Sequence, residues 1–318
     1  MDFEDPYVDS DEERWQEEHR VHKNKNKERR HQFESNDPNL TELTINKALE
    51  ANPYEYYPPD WDWKRDGKAI GCNTHIKELC FGSDLSSVRK ESLGEFFDGL
   101  ACNKSIERLE ITDSTMYGGE IFDIISPFLE QNHNLRCLSV NGCFVQYAPN
   151  SIRLFSESLS RFNTLREFEC EDNRLSDNYM EMIIRGLAGH SRLSRVTLSG
   201  NKIRREGAIA LAALLSNPNC SMTDLQLDNC SLDDEGAIIL APALAARNST
   251  LEKLNLRGHS RVTSAGWRAI FTQFPSPQSS LEELVLEETS IDNAAVILLT
   301  NVLANSTKLK VLNLSNAE

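Results

Sequence analysis

Cysteine and histidine are the residue types of this chain that most often bind metals or act as nucleophiles, and the chain has eight cysteines and seven histidines. Zinc sites need short fixed spacings, such as C-x-x-C or H-E-x-x-H, that bring the ligands together. No such spacing occurs, and His75, His133 and His190 lie far apart in the chain. Glycine-rich phosphate loops are also absent from the sequence. The sequence therefore predicts no metal, no cofactor and no catalytic residue.

Carboxylates are more numerous than cations: 49 Asp and Glu oppose 34 Lys and Arg, and the formal net charge is −15. This balance argues against a general nucleic-acid binder, which needs clustered cations to neutralise phosphates. It favours attraction to a basic partner. Glu167, Glu169, Glu171 and Asp172 place four carboxylates within six residues.

A change of apolar spacing reveals the elements that position these carboxylates. Within residues 231–256, apolar residues first recur every three or four positions, from Ala237 to Leu244, and then every second position, at Leu254 and Leu256. The first spacing is typical of a helix and the second of a strand. The strand part has the form L-x-x-L-x-L-x-x-N/C-x-L and returns every 28 to 30 residues, its first apolar position being residue 76, 106, 135, 165, 193, 222, 251, 281 and 309. Stacking such units buries a core that no single unit could bury.

This motif resembles the leucine-rich repeat superfamily, in its ribonuclease-inhibitor-like subtype, over roughly residues 40–318. The resemblance implies an α/β fold: a right-handed horseshoe solenoid with parallel inner strands and outer helices. It implies a protein-binding role without naming the partner, because members share an architecture and differ in what they bind.

In this family the ninth position of each strand motif turns inward and hydrogen-bonds the backbone of the turn after the strand. The residues at this position are Ser114, Cys143, Asn173, Asn201, Cys230, His259 and Thr289. The resemblance thus gives Cys143 and Cys230 a structural role. Cys170 is expected in the core, whereas Cys80 and Cys137 are expected to point outward from the inner face as exposed thiols.

The strand positions that face away from the helices supply the candidate binding residues. Positions three, five and seven of the motif face the inner surface, and position eight lies at its rim. The acidic residues predicted to bind a partner are Glu110, Asp113, Glu167, Glu169, Glu171, Asp172, Asp224, Asp228, Glu283, Glu287 and Glu288. The basic residues at the same positions are Arg108, Arg195, Lys253 and Arg257. One interpretation is a surface that attracts a basic protein, whose cations would reduce the repulsion among the carboxylates. The other is a charged face that contacts only solvent.

Two further functions are consistent with this repeat type. The repeats are similar to those of Ran GTPase-activating proteins, which implies a regulator of a small GTPase. They are also similar to the repeat part of NOD-like receptors, which implies a sensor domain. The preferred interpretation is a non-enzymatic scaffold that binds a protein, with a basic protein as the expected partner.

Three segments follow from composition and repeat positions. Residues 1–37 are predicted to be a disordered charged tail, since they have almost no apolar content. Residues 38–75 are predicted to hold an N-terminal cap and the first repeat, with the aromatic insertion YEYYPPDWDW at 54–63; a Tyr/Trp hot spot for a partner is the alternative. Residues 76–318 are predicted to be repeats with an open C-terminal strand edge, where a second chain could pair.

The location of the protein is predicted from what the sequence lacks. The first residues, MDFEDPYVDSDEERW, have no apolar signal-peptide core, and no run of 18 apolar residues occurs. We therefore expect a cytoplasmic chain with no membrane span. The basic run HKNKNKERRH at 22–31 leaves a nuclear location as the alternative.

Overall fold

The computed structural model describes residue 20 and residues 27–45, 62–81, 88–112, 120–143, 149–247, 250–273 and 279–316. A helix at residues 27–34 (α1) precedes a regular alternation of strand and helix. The strands are β1 (Glu42–Ile45), β2 (Glu78–Phe81), β3 (Arg108–Thr112), β4 (Cys137–Asn141), β5 (Glu167–Glu169), β6 (Arg195–Thr197), β7 (Asp224–Gln226), β8 (Lys253–Asn255), β9 (Glu283–Val285) and β10 (Val311–Asn313). The helices are α2 (Trp63–Cys72), α3 (Lys90–Leu100), α4 (Glu120–Gln131), α5 (Pro149–Arg161), α6 (Asp177–Gly186), α7 (Arg205–Ser216), α8 (Asp234–Arg247), α9 (Ser264–Gln273) and α10 (Asn293–Asn305).

The ten strands form one open parallel sheet in the order of the chain, from β1 to β10. Parallel neighbours need a crossover connection, and here a helix supplies it in each unit. From α2 to α10, each helix packs against the helices of the units before and after it. This arrangement confirms the predicted right-handed solenoid with inner strands and outer helices.

The core lies between the sheet and the helices, because successive side chains of a strand point to opposite faces. Around β5, Phe168 and Cys170 are fully buried, whereas Glu167 and Glu169 are partly exposed on the other face. The buried residues form one continuous hydrophobic cluster along the units. The helix part and the strand part of residues 231–256 both contribute buried side chains to this cluster: Ala237, Leu240, Ala241, Leu244, Leu254 and Leu256.

The turns after the strands are held by inward side chains of the ninth motif position. Asn201 donates from Nδ2 to the carbonyl of Cys170 at 2.6 Å and accepts at Oδ1 from the N–H of Leu175 at 3.0 Å. Cys230 lies 3.3 Å from the carbonyl of Leu198 through its Sγ. These contacts give Asn201 and Cys230 the structural role predicted for this position; Ser114 lies outside the described residues.

A second set of side chains, which the sequence did not reveal, holds the turns from helix to strand in the N-terminal units. Asn103 is fully buried and donates from Nδ2 to the carbonyls of Ile70 and Asn73, both at 2.9 Å. Its Oδ1 accepts from the N–H of Ser105 and Ile106 at 2.7 Å. Because buried backbone groups need partners, this asparagine lets the chain turn inside the core.

The prediction of a disordered tail up to residue 37 is wrong for residues 27–37, which are ordered. The side chain of Phe33 in α1 is only 1% exposed and packs in the core. Arg30 forms a two-pronged ion pair with the fully buried Asp66, at 2.8 Å (Nε–Oδ1) and 2.7 Å (Nη2–Oδ2). One aromatic residue and one buried ion pair fix this helix, a signal too sparse for apolar periodicity to detect. Residues 1–19 and 21–26 lie outside the described residues.

The aromatic insertion is described only at its end, since residues 54–61 lie outside the described residues. Trp63, the first residue of α2, packs edge-on against Phe96 with ring centroids 5.5 Å apart. Phe96 in turn contacts Phe81 and Phe97. Trp63 therefore belongs to the packing of the N-terminal units, in agreement with a structural role for this residue.

Candidate protein-binding surface

The strand register arranges the residues of the inner face into columns across the sheet. The first column contains Glu42, Glu78, Arg108, Cys137, Glu167, Arg195, Asp224, Lys253, Glu283 and Val311. The second column contains Thr44, Cys80, Glu110, Ser139, Glu169, Thr197, Gln226, Asn255, Val285 and Asn313. Residues far apart in sequence thus become neighbours on one surface.

Two further columns lie beyond the carboxyl ends of the strands, where backbone pairing continues. The third column contains Asn141, Glu171, Ser199, Asp228, Arg257, Glu287 and Ser315, and the rim contains Gly142, Asp172, Gly200, Asn229, Gly258, Glu288 and Asn316. Each rim residue from Gly142 to Glu288 donates its N–H to the carbonyl of the third-column residue in the next unit, at 2.9 to 3.0 Å. This regular pairing holds the rim side chains beside those of the third column.

Every rim residue has a left-handed backbone, with φ between 52° and 75°. Glycine adopts this conformation freely, whereas other residues do so rarely. At Gly200 an added Cβ would lie 2.0 Å from Oδ1 of Asp172, so the Asp172 side chain occupies the space above this glycine. The rim backbone therefore determines where the Asp172 carboxylate lies.

Ion pairs neutralise the carboxylates of the first column. Glu167 Oε2 lies 3.2 Å from Arg108 Nη2, with Cys137 between the two in the register. Further along the column, Arg195 pairs with Asp224 at 3.0 Å and Lys253 with Glu283 at 3.4 Å. Cations one or two units away therefore already bind Glu167, Asp224 and Glu283, so these three predicted site residues carry little free negative charge.

The other predicted carboxylates converge near the ends of β5, β7 and β9. We call Glu169, Glu171, Asp172, Asp228, Glu287 and Glu288 the acidic cluster. Burial raises the pKa of Glu171, and the neighbouring charges of Glu169, Asp172 and Asp228 raise it further. Burial also raises the pKa of Asp228, and the charges of Glu288, Glu287 and Asp172 add to this although Arg257 opposes it. Repulsion among like charges is thus built into this part of the surface.

Arg257 is the cation of the third column, and its position in the repeat does not indicate how many carboxylates it contacts. Its Nη2 lies 2.8 Å from Glu288, its Nε 3.6 Å from Glu287 and its Nη1 3.9 Å from Asp228. One guanidinium therefore faces three carboxylates. The cluster stays net negative at this end, and among the described ion pairs no cation contacts Glu169 or Glu171.

Glu110 and Asp113 are the two predicted site residues that remain. Glu110 lies in the second column with Ser139 between it and Glu169. Its Oε2 is 3.8 Å from the sulfur of Cys80. Asp113 lies outside the described residues.

The expectation of exposed thiols on the inner face is wrong for Cys137, which is only 5% exposed. Burial raises the pKa of its thiol to about 12, and nearby Glu167 and Glu169 act in the same direction against Arg108. Burial raises the pKa of the half-buried Cys80 to about 11, with help from Glu110 and Glu78. Thiolates are the reactive form of cysteine, so neither thiol is activated at neutral pH.

The described residues include no group of three or more His, Cys, Asp or Glu side chains placed to hold a metal ion. No helix in the described ranges is long and apolar enough to cross a membrane.

Comparison with known proteins places this geometry in a known class. The family model described as "Leucine Rich repeat" matches residues 193–212 and 219–241. "NACHT, LRR and PYD domains-containing protein 5" of Mus musculus is 27% identical over 263 residues, which cover 80% of this chain and 21% of that protein. "Ribonuclease inhibitor" of Sus scrofa is 28% identical over 158 residues, which cover 50% of this chain and 34% of that protein. The chain thus matches about a fifth to a third of the length of these relatives.

Among solved structures, the "Crystal structure of Rad7 and Elc1 complex in yeast" matches 79% of this chain and 66% of that chain, with a TM-score of 0.42 and 15% identity. The parallel sheet, the outer helices and the inward ninth position define the class of the fold, which is a leucine-rich repeat solenoid. Its repeats are similar to those of ribonuclease inhibitors.

Proposed function

We propose that this chain is a non-enzymatic protein-binding module whose acidic cluster receives a basic segment of a partner protein. The observation that carries the proposal is the convergence of partly buried carboxylates: burial raises the pKa of Glu171 and Asp228, and the neighbouring carboxylates raise it further. A cationic side chain placed between these carboxylates would relieve their repulsion and gain charge-assisted hydrogen bonds.

The contrast between the columns supports binding over simple solvation. In the first column each of Glu167, Asp224 and Glu283 has a cation from a unit one or two positions away. Near Glu169 and Glu171 the same sheet lacks such a cation among the described ion pairs. A surface selected only for solubility has no need to concentrate unpaired carboxylates at one place, whereas a surface that attracts a basic partner does.

The dimensions of the inner face are sufficient for a protein partner. Ten strands spaced about 4.8 Å apart span roughly 45 Å. A standard interface buries about 800 Å² on each partner. The relative named ribonuclease inhibitor is, by its name, a protein that acts on another protein. This supports the same use of the repeats here.

The test compares partner recovery by the wild-type chain and by the charge-reversed variant Glu171→Lys/Asp172→Lys. The bait is cross-linked in cells, and the captured proteins are quantified by mass spectrometry. We expect the variant to lose a set of basic proteins, and 0.5 M salt to reduce their capture by the wild type. The control Glu206→Lys/Glu235→Lys makes the same charge change on the outer helices α7 and α8. Equal recovery by all three chains would contradict the proposal.

A second candidate function is favoured by the extent of the match to the NACHT, LRR and PYD domains-containing proteins, which reaches 80% of this chain. In that case the solenoid is the repeat region of a larger sensor protein. Sequencing the full transcript tests this, because the candidate requires a NACHT domain in the same reading frame. A transcript that encodes the repeats alone would exclude it.

A further inference from the structure

A second charged site lies at the opposite ends of the strands from the acidic cluster. A cleft of about 340 Å³ opens where the chain enters β4, β5 and β6. Its walls are polar and include His133, Arg136, Thr164, Arg166, Ser191 and Arg192. We call it the basic cleft.

The arginines of the basic cleft are neighbours through the parallel register. The N–H of Arg166 donates to the carbonyl of Arg136 at 2.7 Å, so adjacent units place two cations side by side. Arg136 contacts Glu107 through Nε at 3.3 Å. Among the described residues, no carboxylate forms an ion pair with Arg166 or Arg192, and both side chains are exposed. Like charges on adjacent strands destabilise a sheet, and a bound anion would remove this effect.

The walls of the cleft are fixed by hydrogen bonds that leave the guanidinium groups available. Thr164 donates from Oγ1 to the carbonyl of Leu135 at 2.6 Å. Asn134 donates from Nδ2 to the carbonyl of Lys104 at 2.6 Å. These contacts join consecutive units, so the backbone that carries the arginines is held in place before any ligand arrives.

We propose that the basic cleft binds a phosphate monoester dianion. Planar guanidinium forks match phosphate oxygens in pairs. A phosphate monoester offers three acceptor oxygens and a charge near −2, which suits several converging cations better than a single carboxylate does. The volume of about 340 Å³ exceeds that of a bare phosphate and leaves room for the group that carries it. The site shares no residue with the acidic cluster, so this proposal does not depend on the proposed function.

The test is isothermal titration calorimetry of the full chain at low ionic strength with four probes. These are inorganic phosphate, O-phosphoserine, the capped peptide Gly-phosphoserine-Gly and the same peptide with glutamate in the central position. We expect the phosphorylated probes to bind and the affinity to fall roughly ten- to hundredfold in Arg166→Gln and in Arg192→Gln. The matched control is Arg268→Gln, which removes an exposed arginine on α9 far from the cleft and should bind like the wild type.

The probes also distinguish the source of the phosphate. Tighter binding of the phosphopeptide than of O-phosphoserine and inorganic phosphate supports a phosphorylated partner protein, and equal binding supports a small phosphorylated molecule. The proposal is overturned if no phosphorylated probe binds, if the glutamate peptide binds equally well, or if the double variant Arg166→Gln/Arg192→Gln binds like the wild type. Circular dichroism spectra of the variants verify that they are folded.

Discussion

At the scale of single residues, this solenoid holds ionisable groups in two opposite kinds of environment. Glu171 and Asp228 are partly buried among other acids, which favours their protonated forms. His190 and His259 are buried among apolar residues, which favours their neutral forms. The carboxylates destabilise the fold as the pH rises, whereas the histidines destabilise it as the pH falls. Substitutions can therefore separate the two contributions to the free energy of unfolding.

Removing one charge from the acidic cluster should stabilise the fold. Burial and the neighbouring carboxylates raise the pKa of Glu171 in the folded protein, so its negative charge lowers the free energy of unfolding. This destabilisation is absent below the unfolded pKa and increases as the pH rises through the folded pKa. We expect Glu171→Gln to increase the free energy of unfolding at pH 7 by less than about 1 kcal/mol, given solvent screening. Urea denaturation at pH 7 and pH 4.5 measures the effect, which should shrink at the lower pH. Glu252→Gln, an exposed residue before β8, is the control; an equal gain there would argue against repulsion in the cluster.

Acid should destabilise the protein through His259. Burial lowers the pKa of this histidine to about 4, although a weak approach to the carbonyl of Leu227 opposes the shift. Neither ring nitrogen has a hydrogen-bond partner of normal geometry in the described part of the chain. The folded protein keeps its full stability while His259 is neutral in both states, which holds above the unfolded pKa of about 6.5. As the pH falls from 6.5 to about 4, only the unfolded state takes up the proton, and the free energy of unfolding decreases.

The test replaces His259 by asparagine, the residue that Asn173 and Asn201 represent at the same position of other units. We expect His259→Asn to be more acid-resistant than the wild type, with a difference on the order of 2 kcal/mol at pH 4.5 compared with pH 7.5. Guanidinium denaturation at both pH values measures it. Identical pH dependence in the two proteins would show that this histidine does not control acid stability.

Thiol reactivity should divide the cysteines into two groups. None of the eight forms a disulfide. Cys72 and Cys102 are exposed, whereas Cys137, Cys143, Cys170 and Cys230 are buried. With N-ethylmaleimide and peptide mass spectrometry, we expect rapid labelling of the two exposed thiols and labelling of the four buried thiols only in denaturant. Fast native labelling of a buried thiol would contradict the assigned core positions.

At the scale of elements, the repeat made the strands, the helices and the inward ninth position predictable, because each unit obeys the same spacing. The pairing of Arg108 with Glu167 was not predictable, since it depends on side-chain conformations across the intervening Cys137 strand. The helix α1 was missed because it has one core residue, Phe33, and no apolar period. The candidate site was therefore predicted as a set of columns, and only the structure separated the ion-paired carboxylates of the first column from the acidic cluster.

The left-handed backbone of the rim makes Gly200 sensitive to substitution. Gly200→Ala should destabilise the protein by at least about 2 kcal/mol, because alanine must adopt a left-handed backbone and its Cβ meets Asp172. Gly94→Ala in α3 is the matched control: nothing lies within 4 Å of the added Cβ, and the helix should gain about 0.5–1 kcal/mol. Thermal unfolding of both variants measures the difference, and a neutral Gly200→Ala would show that the rim tolerates another conformation.

At the scale of the whole molecule, helix packing from α2 to α10 runs only between neighbouring units, so stability is a sum of local contributions. Phe33→Ala removes the core residue of α1. We expect faster amide hydrogen exchange at residues 62–81 and unchanged exchange at residues 205–273, measured by mass spectrometry. Faster exchange along the entire chain would indicate a single cooperative unit instead.

The charge sequence of the first column also has a consequence for how such a gene can change. Duplicated coding segments recombine unequally and gain or lose whole units. If the unit of β7 were lost, Arg195 would adjoin Lys253; if that of β8 were lost, Asp224 would adjoin Glu283; if that of β6 were lost, Glu167 would adjoin Asp224. Each deletion juxtaposes like charges in a sheet whose backbone would otherwise accept it. The charges of the first column are therefore complementary only in the present order of the units. A protein that had lost one of these units would need compensating substitutions to be as stable.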